Sequence, residues 1–273
     1  GENHRLIYPG PAQEATVEGL ALTKQEKGTF AGPDVEYTKL SGPGETIGNT
    51  GGFSYLYDVE RSAPTDGGYT VDFRCEDLRH RIAPGREPHL RIHALTPCDE
   101  VALASGQPPQ NKSGNPVSLR YLVQSRLGAG LQSQFANVLE PYDRTPLIRR
   151  VRRLSPRHTA DPDSVAAVAV DLADGQTDIL IACEQPTEVH LEGGIEMDGT
   201  IGFVRLQDGK PRVLRLIAGT RLAVGEVSMT CDRAAYTGTV KSVDVGDPAS
   251  NRVVLDPPLP AGHGLEGRAI HFL

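Results

Sequence analysis

The run Gly199-Thr200-Ile201-Gly202-Phe203-Val204-Arg205-Leu206, then Asp208-Gly209, then Arg212-Val213-Leu214-Arg215-Leu216-Ile217, reads as two strands joined by a tight turn. Asp-Gly suits the positive backbone angles of a two-residue hairpin, so the flanking strands are expected to be antiparallel. The same period of two recurs outward along the chain. Phe53, Tyr55, Tyr57 and Val59 alternate with Ser54, Leu56, Asp58 and Glu60, and Tyr69, Val71, Phe73 and Cys75 alternate with Thr70, Asp72, Arg74 and Glu76. Leu90, Ile92 and Ala94 alternate with His89, Arg91 and His93, and Val117, Leu119, Tyr121 and Val123 follow the same rule. Successive side chains of a strand point to opposite faces, so these runs predict half-buried strands. Further turns are expected at Asp66-Gly67-Gly68, Gly193-Gly194 and Asp198-Gly199.

No segment carries a sustained helical period with caps at both ends. Ser164 to Leu172 is read as a strand through Val168, Val170 and Leu172, because Asp174-Gly175 leads straight into Asp178 to Cys183. Ala104 to Pro116, with its glycines, prolines and asparagines, is expected to be a long surface loop, and Ser155 to Ser164 a linker or sheet-to-sheet crossing. The fold class expected is therefore all-β: a large antiparallel β-sandwich over residues 1–155, followed by a smaller β module over 156–273.

The 273 residues hold 28 Lys and Arg against 35 Asp and Glu, a net charge of -7, which speaks against a general nucleic-acid binder. No stretch reaches the roughly 18 to 20 apolar residues of a membrane helix. The chain begins at Gly1 and has no apolar signal core, as expected of a processed or trimmed piece. Cys75, Cys98, Cys183 and Cys231 form no C-x-x-C pair, so a structural zinc site is not expected, and Cys75 and Cys183 read as buried thiols. Trp is absent, which removes the commonest stacking platform for sugars.

The motifs of serine hydrolases, zinc peptidases, phosphate loops and dinucleotide-binding folds are missing. His89 and His93 share a strand face with Arg91 but stand roughly 13 Å apart, too far for two ligands of one ion; they are expected to face solvent. Ile148-Arg149-Arg150-Val151-Arg152-Arg153-Leu154 resembles a polyanion-binding cluster. On a strand, Arg149 and Arg153 face one way and Arg150 and Arg152 the other, so a charged edge strand paired with carboxylates is the competing reading. Tyr55 and Tyr57 can cap a groove, with Asp58, Glu60 and Arg61 beside them to bond sugar hydroxyls; the competing reading is core. The carbohydrate-binding candidates are thus Tyr55, Tyr57, Arg61, Arg149, Arg150 and Arg152.

Leu131-Gln132-Ser133-Gln134-Phe135-Ala136-Asn137-Val138-Leu139-Glu140-Pro141-Tyr142-Asp143, followed by Ile148 and Val151, resembles the β-sheet region of heparinase II/III-like polysaccharide lyases. Phe53 to Glu60, Tyr69 to Arg74, His89 to Leu95, Asp99 to Ala102 and Pro108-Pro109 follow in the order of that family. Gly175 to Ile181, Met197-Asp198-Gly199, Ala218-Gly219-Thr220 with Leu222, and Leu265-Glu266-Gly267 look like its last β module. The resemblance covers about residues 50 to 273. It implies a supersandwich-like body, an acidic polysaccharide as partner and export to the periplasm or outside the cell. It also implies an N-terminal helical toroid, which this chain lacks and which carries most of the family's catalytic groups. The family's H-N-T-like stretch has no match here, so no catalytic residue, metal ligand or cofactor transfers. The expectation is a non-catalytic β-rich portion that braces the toroid and contributes to polysaccharide binding, without nucleic-acid or membrane partners. The alternatives are a stand-alone carbohydrate-binding module and a complete β-sandwich enzyme acting on sugars, for which His80, His89, His93 and Glu100 are the nearest grouping.

Overall fold

The computed structural model describes residues 1–37, 52–75, 77, 81–108, 116–157, 164–247 and 250–258. The chain is all-β. In order run β1 (Glu2–Pro9), β2 (Thr16–Glu18), β3 (Thr23–Lys24), a 3-10 turn (Gly52–Tyr55), β4 (Leu56–Arg61), β5 (Tyr69–Arg74) and β6 (Pro88–Ala94). Then follow β7 (Glu100–Gly106), β8 (Leu119–Gly128), β9 (Asn137–Asp143), β10 (Ile148–Arg153), β11 (Val165–Leu172) and β12 (Gln176–Leu191). The last are β13 (Ile195–Gln207), β14 (Lys210–Ile217), β15 (Arg221–Val224), β16 (Val227–Thr230), β17 (Thr239–Asp244) and β18 (Arg252–Asp256).

Residues 1–143 form an antiparallel sandwich. One sheet has the order β1-β8-β7-β4-β3 and the other β2-β5-β6-β9. Tyr69, Val71 and Phe73 of β5, Ile92 and Ala94 of β6, Val101 and Leu103 of β7 and Leu122 of β8 make one buried cluster between them. The chain passes so close to this core at Gly10 that a Cβ there would lie 2.3 Å from the Phe73 ring and 2.5 Å from the Arg120 carbonyl. The five-stranded sheet also has a smaller apolar cluster on its outer side, with Phe30, Leu56, Val59, Ala102, Ala104 and Val123.

Two local expectations are corrected. The alternation from Phe53 to Val59 is broken, because Gly52–Tyr55 is a 3-10 turn and the β4–β7 register shifts between Tyr57 and Glu60. Asp58 takes φ 50 at this bulge, and Leu56 and Val59, three apart, point into the same apolar cluster. The Ala104–Pro116 loop begins later than expected, since β7 runs to Gly106; residues 109–115 lie outside the described residues. Residues 158–163 of the expected linker, His80 and Leu265-Glu266-Gly267 also lie outside them.

β10 to β16 form a second antiparallel unit in the order β10-β11-β12-β13-β15-β16, with β14 on β13. The expected hairpin is present: Gln207 pairs with Lys210 across Asp208 and Gly209, whose φ values are 50 and 74. The pairing of β12 with β13 shifts between Ala182 and Thr187, and both strands run on past the shift. One core draws on both halves: Ile179, Ile181, Val204 and Leu216 before the shift meet Val189, Met197, Leu222 and Val224 beyond it. The sheet therefore folds across its own core. At the crossing a Cβ on Gly219 would sit 2.3 Å from the Asp198 carbonyl, so only glycine fits. Sheet membership changes between Asp143 and Ile148, so the arginine strand, placed with residues 1–155 from sequence, hydrogen-bonds within the second unit. β17 and β18 make a separate two-stranded ribbon.

Candidate functional site

The carbohydrate-binding candidates of the sequence fall into two separate places. Tyr57 and Arg61 lie on β4 of the five-stranded sheet, and Tyr55 ends the 3-10 turn just before it. Tyr57 meets Tyr37 edge-on, with ring centroids 4.7 Å apart. The Arg61 guanidinium donates to Glu100 Oε1 at 2.6 Å, Gln25 Oε1 at 3.0 Å and the Phe30 carbonyl at 2.8 Å, and covers the Phe30 ring. Its donors thus tie three chain segments together. Arg149, Arg150 and Arg152 lie on β10, an edge strand of the second unit. Arg149 and Arg150 are exposed, while Arg152 reaches Glu192 at 3.3 Å and Asp171 at 3.8 Å.

The last arginine of that run takes a different course. Arg153 donates to Gln134 Oε1 at 2.6 Å, across from the second unit to the segment that precedes β9. Both residues line a cleft of about 410 Å³ at the junction of the two units. His4, Arg126, Gln132 and Ser133 supply the sandwich side, and Ser164 and Glu184 the other. His4 Nδ1 lies 3.0 Å from Ser133 Oγ, and Arg126 Nε is 3.4 Å from Asp99. Two guanidiniums among amides and hydroxyls make a surface that can hold a carboxylate bidentately and bond neutral hydroxyls beside it. The sequence reading missed Arg126 and His4, since nothing local brings residues 4, 126 and 153 together.

A second constellation covers the outer face of β5, β6 and β9. Register sets Asp72 opposite Arg91 and Arg91 opposite Glu140; in the next rows stand Arg74, His89 and Tyr142, then Thr70, His93 and Val138. The Asp72 carboxylate receives the Tyr142 hydroxyl at 2.5 Å, His89 Nδ1 at 2.6 Å and Arg91 Nε at 2.7 Å. Burial alone would raise the Asp72 pKa; the hydrogen bonds from Tyr142, His89 and Arg91 outweigh it and hold the carboxyl below its ordinary value. An ionised Asp72 can only accept, so His89 carries its proton on Nδ1, and its Nε2 lies 3.9 Å from Glu87 Oε1. Tyr142 stacks on His89, with centroids 4.8 Å apart. Its hydroxyl is pushed up to about 12 by burial and by the Asp72 charge, which keeps it protonated.

His93 Nε2 lies 3.0 Å from Glu140 Oε2, and both residues are buried. Glu140 Oε1 accepts the Leu147 and Ile148 amides at 2.6 and 2.7 Å, where the chain enters β10. The expectation that His89 and His93 face solvent is therefore corrected. Each has its own carboxylate, because cross-strand pairing places Asp72 and Glu140 beside them and the β9–β10 connection folds over Glu140. Glu100, grouped with these histidines in the sequence, instead pairs with Arg61 on the other sheet. Among the described residues, no group of three His, Cys, Asp or Glu is arranged to hold a metal ion. All four thiols are free; Cys98 and Cys183 are buried, and burial pushes the Cys98 thiol up to about 11. Cys75, expected to be buried, is only partly so, as it lies just past the end of β5.

Comparison with known proteins adds no identity: no family model matches the chain, and no curated protein matches it.

Proposed function

We propose that the chain is a β-rich unit that binds an acidic polysaccharide, as expected of the β-sheet portion of a heparinase II/III-like lyase bracing a helical toroid in an exported protein. The observation that carries this reading is the cleft between the two units, with Arg126 on one wall and Arg153 on the other. Its formal balance is modest: two arginines against Glu184 leave one positive charge, with Asp99 sharing Arg126. That balance suits one uronate carboxylate among neutral hydroxyls better than a densely sulfated segment. Arg149 and Arg150, exposed on the adjoining edge strand, extend the positive surface along the chain of a longer glycan.

Affinity electrophoresis through gels holding a polyuronate, a sulfated glycan or a neutral glucan tests the reading. Selective retardation by the polyuronate is expected, falling about tenfold or more in Arg126→Ala and in Arg153→Ala. Equal retardation of wild type and both variants would remove the cleft as the binding site.

A second reading, an enzyme acting on sugars, is favoured by one arrangement: Asp72 holds both His89 Nδ1 and the Tyr142 hydroxyl, with the two rings stacked. Such a pair supplies a base and an acid within one patch. Turnover of a glycan that is lost in His89→Gln would support it; undiminished turnover in that variant would exclude this patch.

A further inference from the structure

Two guanidiniums of the second unit meet different partners. Arg205 donates from Nε to Asp178 Oδ1 at 2.7 Å and from Nη2 to Asp178 Oδ2 at 2.6 Å, the paired contact that a carboxylate makes with an arginine. In the cleft, Arg153 donates from Nη2 alone, to the neutral Gln134 Oε1 at 2.6 Å. Among the described residues, Gln134 is its hydrogen-bond partner and no carboxylate lies at ion-pair distance from it. Arg126, the other guanidinium of the cleft, already has Asp99 at 3.4 Å. Arg153 is thus the cation of the cleft that is answered by a dipole and not by a charge.

The neutral acceptor comes from the opposite wall. Gln134 precedes β9 of the sandwich, and Arg153 ends β10 of the second unit. The amide oxygen therefore stands where a ligand oxygen would meet the guanidinium. Arg153 is half-buried, and partial removal from water strengthens whatever contact its charge makes. A hydrogen bond between two ionised groups is roughly twice as strong as a neutral one. A carboxylate could also bring its second oxygen to Nε or Nη1, which the single amide oxygen leaves without an acceptor.

We propose that Arg153 is the carboxylate-binding group of the cleft, and that Gln134 holds its place in the free chain until a ligand carboxylate displaces it. The inference rests on the acidic-polysaccharide reading and sharpens it: the uronate carboxylate goes to Arg153, and His4, Gln132 and Ser133 remain for hydroxyls beside it. Gln134 is then a rival of the ligand. The apparent affinity is lowered by the share of molecules in which the amide occupies Arg153.

Affinity electrophoresis of the whole chain through polygalacturonate gels tests the sign of this effect, with circular dichroism confirming that each variant keeps its fold. Gln134→Ala is expected to bind about threefold to fivefold more tightly than wild type, because the rival is gone. Gln134→Glu sets a carboxylate of the chain itself on Arg153, and should bind about tenfold more weakly, like Arg153→Ala. Weaker binding by Gln134→Ala would overturn the proposal, since Gln134 would then aid the ligand. A second measurement needs no glycan. Gln134→Glu is expected to raise the thermal midpoint by about 2–4 °C, and to lose that gain when combined with Arg153→Ala. No gain, or a gain that persists without Arg153, would overturn the proposal whatever the gels show. A gain through Arg153, with gels that retard neither wild type nor Gln134→Ala, would keep the carboxylate site and remove the polysaccharide as its occupant.

Discussion

On the outer face of β5, β6 and β9 stand Asp72, His89, Arg91, His93, Glu140 and Tyr142; on the outer face of β11 to β14 stand Val168, Leu180, Ile201, Phe203 and Ile217. Both faces arise from the same alternation, and both lie opposite a buried core. The first is polar and satisfied from within: three donors meet at Asp72, and the Glu140 carboxylate serves His93 and two amides. The second is mostly apolar, with Leu180, Ile201 and Ile217 exposed among the described residues beside one ion pair, Asp178 with Arg205. An inward-facing set says that a strand is half-buried; only the outward-facing set says whether the other side keeps house for itself or is left apolar.

The comparison breaks most sharply at Glu140. Glu140→Ala removes the acceptor of the Leu147 and Ile148 amides and leaves His93 buried without its carboxylate; a loss of about 3–5 kcal/mol is expected in chemical denaturation. A loss no larger than that of an exposed substitution would show that the polar face contributes nothing to stability.

Asp72→Asn comes next. It keeps the shape but withdraws the charge that three donors address, and about 1–3 kcal/mol is expected at neutral pH. The same residue sets a pH dependence. Its folded pKa is depressed, so its contribution is complete above the unfolded carboxylate value of about 3.9 and is lost as pH falls through the folded value. Thermal unfolding of wild type should therefore lose this increment on acidification below about pH 4, while the asparagine variant lacks that part of the slope. Parallel profiles would show that Asp72 titrates alike in the folded and unfolded chain.

The smallest effect is expected on the apolar face. Leu180→Gln should change the stability of the chain by within about 0.5 kcal/mol, because the side chain already meets water. A loss of several kcal/mol in chemical denaturation would mean that the face is core after all.

The hairpin at Asp208-Gly209 and the strands around it were legible because each is a local fact: an alternation, then two residues that tolerate positive φ. Val165–Leu172 was legible as a strand for the same reason. The run Phe53–Val59 misled because a bulge adds one residue and turns the following side chains over, and Asp58 does not announce it. The candidate site was less legible still. Asp72, Arg91 and Glu140 become neighbours only through the pairing of three strands, and Arg153 separates from Arg149, Arg150 and Arg152 only once the sandwich is placed against β10. The Glu140-Pro141-Tyr142 segment did stand out in the sequence, and its two polar residues lie at the centre of the polar face.

The clamp at Glu140 also has a mechanical meaning. β9 is bonded into one sheet and β10 into another, with only Arg144 to Leu147 between them. A tug on β10 does not fall on that short connection alone, because the Leu147 and Ile148 amides hand the load to a carboxylate seated in the middle of the neighbouring sheet. The joint behaves as a braced elbow in place of a slack tether. Torque applied to one unit is felt by the other.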